Sequence, residues 1–232
     1  MKAPALLKAL SSVPFTFRLP TLPAKHTGYF QARPVSSTMD PSVDRIISFW
    51  FDTHDQRKRW FEQSDELDKQ IKTEFGDLVS QARTPALDSW TQNPKGTLAI
   101  LVLLDQFSRN IFRGSANSFG GDAKALNIAM KGIAKGLDRQ VEPIQQSLFY
   151  LPLMRNESLL GQIAAVSLYE NYAQRCEPGS PAKALATDSI GFAKQHRDVI
   201  AMFGRFPRRN EAMGRQSTAE ELEYLRENPH GF

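Results

Sequence analysis

Residues 98–104 (LAILVLL) form an unbroken apolar run. As a helix the run is hydrophobic all round, so it belongs inside the molecule rather than on its surface. The helix is expected to continue straight into residues 104–114 (LDQFSRNIFRG), which carry Asp105, Gln106, Arg109, Asn110 and Arg113. Asp105, Arg109 and Arg113 stand at i, i+4 and i+8, a spacing that predicts projection from one face. Charged groups on a buried helix have to be paired or to line a cavity. A second cluster of the same character follows at residues 203–210 (FGRFPRRN). Together the two predict either a polar keystone that sets the fold or a polar pocket.

Helical spacing recurs along the rest of the chain. Asp40-Pro41 opens a segment through Val43, Ile46, Ile47 and Trp50, with proline at a favoured first-turn position. Residues 63–82 place Leu67, Ile71, Phe75, Leu78 and Val79 three and four apart. Asn93-Pro94 opens the buried helix. Residues 120–135 form the next segment, and Glu142-Pro143 opens one that is bent or stopped by Pro152. Residues 157–174 and 181–202 follow, separated by the breaker Glu177-Pro178-Gly179-Ser180-Pro181. The last begins at Thr218, with the capping-box pairing of Thr218 and Glu221. No sustained strand alternation is present. The pattern predicts an all-α domain of about seven to nine antiparallel helices. No 34-residue repeat is legible, although antiparallel pairs joined by short loops can stack as a solenoid.

Charge divides the chain in two. Residues 1–39 hold Lys2, Lys8, Arg18, Lys25 and Arg33, five prolines, and no Asp or Glu. The whole chain has 29 basic and 25 acidic residues; taking away the five leader cations leaves 24 basic against 25 acidic, so residues 40–232 carry a net charge of −1. The formal +4 therefore belongs to the leader, and a nucleic-acid-binding body, which keeps its own basic surplus, is disfavoured. An acid-free leader rich in Ser, Thr and Pro has the composition of a mitochondrial transit peptide; the alternatives are a disordered tail on a cytoplasmic protein and a start at Met39. Residues 40–232 are expected to form the single helical domain. No apolar run reaches the ~20 residues that span a bilayer. The one cysteine, Cys176, excludes an internal disulfide.

The usual signatures of hydrolase, zinc, nucleotide and dinucleotide sites are missing. His26, His54, His196 and His230 are scattered, and Asp52, His54 and Asp55 read as a solvated turn rather than a ligand set. Neither metal nor cofactor is expected. His196, between Phe192 and Ile200, is either a histidine satisfied on its own helix or a functional group placed one helix before FGRFPRRN.

The set FWF (49–51), RWF (59–61), LDQFSRNIFRG, DAKAL (122–126), YLPLM (150–154), the FGRFPRRN segment with His196 before it, and STAEE (217–221) resembles the family catalogued as domain of unknown function 924, over residues 42–232. The resemblance implies an all-helical fold like that of tetratricopeptide-repeat proteins and implies no activity. Two departures stand out. Arg155 follows YLPLM where the family usually has His, and Arg208 stands where the family reads F-P-H-R-N. Each keeps a donor and fixes a positive charge, and each loses the capacity to accept a proton or bind a metal.

Three readings of the polar motifs follow. In the structural one, Asp105 pairs with Arg109, Arg205 or Arg209, Asn110 and Asn210 cap helix ends, and Gln106 binds backbone. In the second, Arg109, Asn110, Arg113, Arg155, Arg205, Arg208, Arg209 and Asn210 bind an anionic small molecule or an acidic peptide, with Trp50, Phe51, Trp60 and Phe61 as an aromatic pocket. In the third, Asp105 or His196 serves as the acid/base of an enzyme acting on a small anionic metabolite. Substrate, partner and oligomeric state are not written in the sequence.

Overall fold

The computed structural model describes residues 40–52, 56–61 and 63–229. The leader, Met39, His26, His54, Asp55 and His230 lie outside the described residues. Among the described residues the protein is all-α, with the helices α1 Pro41–Phe51, α2 Gln56–Phe61, α3 Asp65–Ala82, α4 Pro94–Leu101, α5 Ser108–Ile111, α6 Asp122–Ala134, α7 Ser147–Met154, α8 Leu159–Arg175, α9 Pro181–Phe203 and α10 Ala219–Glu227. None of them is long and apolar enough to cross a membrane.

Five of these starts are chemically marked. The side chains of Asp40, Ser64, Asn93, Ser180 and Thr218 each accept a hydrogen bond from a backbone N–H of the first turn. Pro41, Pro94 and Pro181 stand in first turns, where a missing N–H has no consequence. The short α2 and the 3₁₀ segment Pro85–Gln92 fall where no helix is expected from the periodicity.

The buried helix does not run straight. After α4 it widens into π geometry over Val102–Phe107 and resumes as α5. The Ser108 hydroxyl donates to the carbonyl of Leu103, five residues back, at 3.1 Å. The insertion rotates everything after it, and α5 ends at Ile111. Arg113 therefore lies beyond the helix, and the single face expected for Asp105, Arg109 and Arg113 does not form.

α4 and its π extension are the hub. α4 packs against α1, α6, α7 and Pro85–Gln92, while α3 lies along α5 and the π segment. The other helices follow one another as in a helical array: α6 on α7, α7 on α8, α8 on α9. The Phe107 ring packs against Phe49, Trp50 and Phe75, with centroids 5.8, 5.4 and 4.9 Å away. Gly121, immediately before α6, is held so close that a Cβ there would lie 2.8 Å from the Leu104 carbonyl oxygen. That approach carries Asp122 to the π segment.

The C-terminal segment is a separate clamp. α9 ends at Gly204, whose φ of +68° suits glycine. Glu221 closes the expected capping box, accepting from Thr218 N–H at 2.8 Å while its own N–H donates to the Thr218 hydroxyl at 3.2 Å. The same carboxylate accepts from Arg205 at 2.6 and 2.8 Å and from Asn210 Nδ2 at 3.1 Å. Glu157, from the α7–α8 loop, accepts from Phe206 N–H at 2.8 Å and from Arg215 at 2.7 and 3.0 Å. The motif is thereby fixed to the body, with Val199, Ile200 and Phe206 as its own small core.

The Arg205 hydrogen bonds hold the Glu221 carboxyl at about 2, well below the usual 4.5. A depressed carboxyl contributes stability that is complete above its unfolded value and disappears as pH falls through the folded one. The melting temperature advantage of the native protein over Glu221→Gln is expected to be constant above pH 4.5 and to shrink steadily towards pH 2. A difference that does not change with pH would contradict the clamp.

Candidate functional site: an arginine-lined cavity

A cavity of about 380 Å³ opens between the π segment, α1, α2, α7, α8 and α9. α7 presents Ser147, Leu148, Leu151 and Met154 to it, followed by Arg155 just past the helix end. α9 presents Leu185, Ser189, Phe192 and His196, which share one face at spacings of three and four. Trp50 and Trp60 supply an aromatic wall, tied by the Trp60 indole N–H donating to the Trp50 carbonyl at 3.1 Å. Most of the lining is apolar, and the charge is concentrated around Arg109, Arg155 and Arg209.

Two carboxylates organise that charged end. Asp122 accepts both terminal nitrogens of Arg109 at 3.0 Å each and lies 3.5 Å from Arg209. Asp105, only 1 % exposed, lies 3.5 Å from Arg109 and 3.6 Å from Arg155, and accepts from the Gln106 amide. Arg109 also donates to the Asp105 carbonyl at 3.1 Å. Arg209 donates to the Arg155 carbonyl at 2.9 Å, with its guanidinium 4.5 Å from the centre of the Phe206 ring and 4.9 Å from that of Phe119.

The three guanidinium groups are not equally compensated. Burial weakens the charged form of Arg109, but Asp105 and Asp122 more than offset this, and its pKa is raised. Burial lowers that of Arg155, which Asp105 offsets only in part while Arg109 repels it. Burial and repulsion from Arg109 bring Arg209 down to about 10. Among the described residues the Arg155 side chain donates no hydrogen bond; its one ionic partner is Asp105 at 3.6 Å, and it remains 25 % exposed.

His196 borders the same end. Its Nδ1 lies 2.8 Å from the Phe192 carbonyl, so that nitrogen carries the proton and Nε2 is the acceptor. Burial, with the positive charges of Arg155 and Arg209, pushes the imidazole down to about 4. It is therefore neutral at physiological pH. Among the described residues no His, Cys, Asp and Glu side chains gather in a metal-holding group.

The structure thus brings together Asp105, Arg109, Arg155, His196 and Arg209. It takes the other sequence candidates elsewhere. Asn110 and Arg113 both bind Asp68 on α3, at 2.7 to 2.9 Å, because the π insertion and the end of α5 turn them away from the cavity. Arg205 and Asn210 belong to the Glu221 clamp. Arg208 donates to the carbonyls of Asn228 and Pro229 at 2.7 and 3.0 Å, on the outside of the Pro207–Arg209 turn. Asp105 pairs with neither Arg205 nor Arg209, and Gln106 binds a carboxylate rather than backbone. Trp50, Trp60 and Phe61 line the cavity, while Phe51 packs edge-on against Trp60. The sequence motifs do not place Asp122 in the site; the signal for it is the diglycine Gly120-Gly121 immediately before DAKAL.

Unequal compensation predicts unequal effects. Arg109→Ala strips a buried pair from two carboxylates and is expected to cost about 3–5 kcal/mol, lowering the melting temperature by roughly 6–20 °C. Arg155→Met removes a cation with little compensation and is expected to shift it by no more than about 2 °C. Equal losses in thermal unfolding would show that Arg155 is part of the keystone.

The comparisons with known proteins agree with this architecture. The family model described as bacterial protein of unknown function (DUF924) matches residues 46–229. A solved structure of a protein of unknown function from Agrobacterium tumefaciens is 32 % identical, with a TM-score of 0.71, covering 80 % of this chain and 97 % of its own. No curated protein matches. With a family model spanning most of its length and a relative alike in sequence and fold, the chain belongs to the DUF924 family of bacterial proteins of unknown function.

Proposed function

We propose that the protein is a helical binding protein whose cavity takes a small organic anion on Arg155. One observation carries the reading: a guanidinium facing a cavity which, among the described residues, has no hydrogen-bond acceptor and a single carboxylate 3.6 Å away. Its five donors favour a bidentate oxyanion. The neighbouring Arg209, also lowered by burial and by other cations, adds positive potential. A volume of about 380 Å³ with mostly apolar walls suits a small molecule better than an acidic peptide.

Binding is favoured over acid/base catalysis by the state of the two candidates. Asp105 is engaged with Gln106 and lies between two arginines. An imidazole at about 4 is a weak base at neutral pH, where an effective catalyst has a pKa near 7. His196, neutral at physiological pH, borders the anion end without adding charge to it.

The test is thermal unfolding in a panel of organic anions, each against its neutral amide. At a hundred times its dissociation constant a ligand stabilises by about 2.7 kcal/mol, here a rise of roughly 5–11 °C. Arg155→Met is expected to abolish the rise, and Arg208→Met, on the outer surface, to leave it intact. Stabilisation that survives Arg155→Met, or absent from the whole panel, would contradict the reading.

A further inference from the structure

The polar side chains in the cavity wall narrow the class of anion. We infer that the ligand is a carboxylate carrying a neutral hydrogen-bond donor on the adjacent carbon, in its simplest form a 2-hydroxy acid. Its carboxylate sits on Arg155, and its donor meets the side-chain oxygen of Gln106. The inference rests on the anion-binding reading above and deepens it by naming the ligand class.

Hydroxyl and amide groups line the cavity at Gln106, Ser147, Tyr169 and Ser189. Two of the four are engaged. The Ser147 hydroxyl donates to the Ile144 carbonyl at 3.2 Å, and the Tyr169 hydroxyl to the Ser147 carbonyl at 3.0 Å. The Ser189 hydroxyl and the Gln106 oxygen have no hydrogen-bond partner among the described residues, although each residue is only 8 % exposed. Neither atom is sealed into the packing as the unpartnered oxygen of Gln162 is, so each is open to the volume its residue lines. A hydroxyl both donates and accepts, and imposes no choice on the group that meets it. An amide oxygen only accepts, and requires a donor.

The orientation of the Gln106 amide is fixed. Its nitrogen donates to Asp105 Oδ2, and only the nitrogen can, so its oxygen is the end turned away from that carboxylate. Arg155 Nε lies 3.6 Å from the same Asp105 oxygen. One carboxylate oxygen thus gathers both the guanidinium that takes the anion and the amide whose oxygen lacks a donor. The ligand's carboxylate cannot satisfy that oxygen, because it too only accepts. A ligand with no other polar group would strip the Gln106 oxygen of water and leave it unpaired, which is unfavourable for a buried acceptor. A donor on the carbon next to the carboxylate is the nearest one an acid can carry. That donor is neutral. Burial and the charges of Arg155 and Arg209 hold His196, at the same end, in its uncharged form, and those cations equally oppose an ammonium in the ligand. Free 2-amino acids are thereby disfavoured, while the N–H of an N-acylated one is a donor of the required kind.

The test is calorimetric titration of the full chain with 3-phenylpropionate and its derivatives at the second carbon. These carry a hydroxyl (each enantiomer), a methoxy, an acetamido or an ammonium group, and phenyl phosphate is titrated beside them. The tail is not part of the inference, so the comparison is repeated with hexanoate and 2-hydroxyhexanoate. The better hydroxy enantiomer is expected to bind about three- to tenfold more tightly than the parent acid, the range of one hydrogen bond. The methyl ether, which keeps the oxygen and loses the donor, should bind no better than the parent, and the ammonium compound more weakly than the hydroxy acid. A gain in the acetamido acid in place of the hydroxy acid would identify the donor as an N–H. In Gln106→Met the preference should disappear; should that variant not fold, the ether and the parent acid on the native protein decide. Hydroxy and acetamido acids that both bind no better than the parent would overturn the inference and leave the anion cavity standing. So would a methyl ether that keeps the gain, an ammonium compound as tight as the hydroxy acid, or a preference undiminished in Gln106→Met. Phenyl phosphate bound through Arg155 with no carboxylate binding would do the same. No Arg155-dependent binding of any anion would overturn both.

Discussion

Two carboxylates, the buried Asp105 and the half-buried Asp122, determine how this protein is built. Asp105 and Asp122 are brought to the centre by a π widening of the buried helix and by a glycine that lets α6 touch it. Isolated charges there are prohibitively costly, so arginines must come to them. Arg109 is supplied by the same helix, Arg155 by the end of α7 and Arg209 by the C-terminal motif. Elements a hundred residues apart in sequence are thereby locked around one point. The Glu221 and Glu157 contacts hold the distal motif in place so that Arg209 arrives correctly.

The same arrangement makes a site because it is unbalanced. Arg109 is fully compensated and belongs to the framework. Arg155, which faces the open volume without a hydrogen bond among the described residues, is not. A framework alone would be better served by an apolar side chain at that position, since incompletely paired buried cations destabilise. Retaining a guanidinium where a cavity with apolar walls begins is consistent with an anion completing the charge balance from outside.

Much of the fold is legible in the letters because the starts of α1, α3, α4, α9 and α10 carry a capping side chain, three of them with a first-turn proline, and because apolar residues recur at helical spacing. α2 is not, being only six residues long and placed by the Trp60 contact with α1. The π segment is invisible because its residues are the same apolar ones a regular helix would hold; only Ser108, with a hydroxyl able to reach Leu103, hints at it. That one irregularity, with the early end of α5, is why Asn110 and Arg113 lie on Asp68 and not beside Arg109 at the cavity. Of the cationic cluster, the departure at Arg155 faces the cavity, while the matching departure at Arg208 faces outward, since neighbouring residues on a 3₁₀ turn project about 120° apart. Asp122 required knowledge of which backbone approaches Gly121.

The surplus charge on Arg155 can be seen directly in a crystal grown in sodium bromide, by anomalous scattering. A bromide ion within hydrogen-bonding reach of the Arg155 guanidinium, inside the cavity and bordered by His196 and Arg209, is the predicted result. An Arg155 side chain closed onto Asp105 in a bidentate pair, with no ion beside it, would contradict the account.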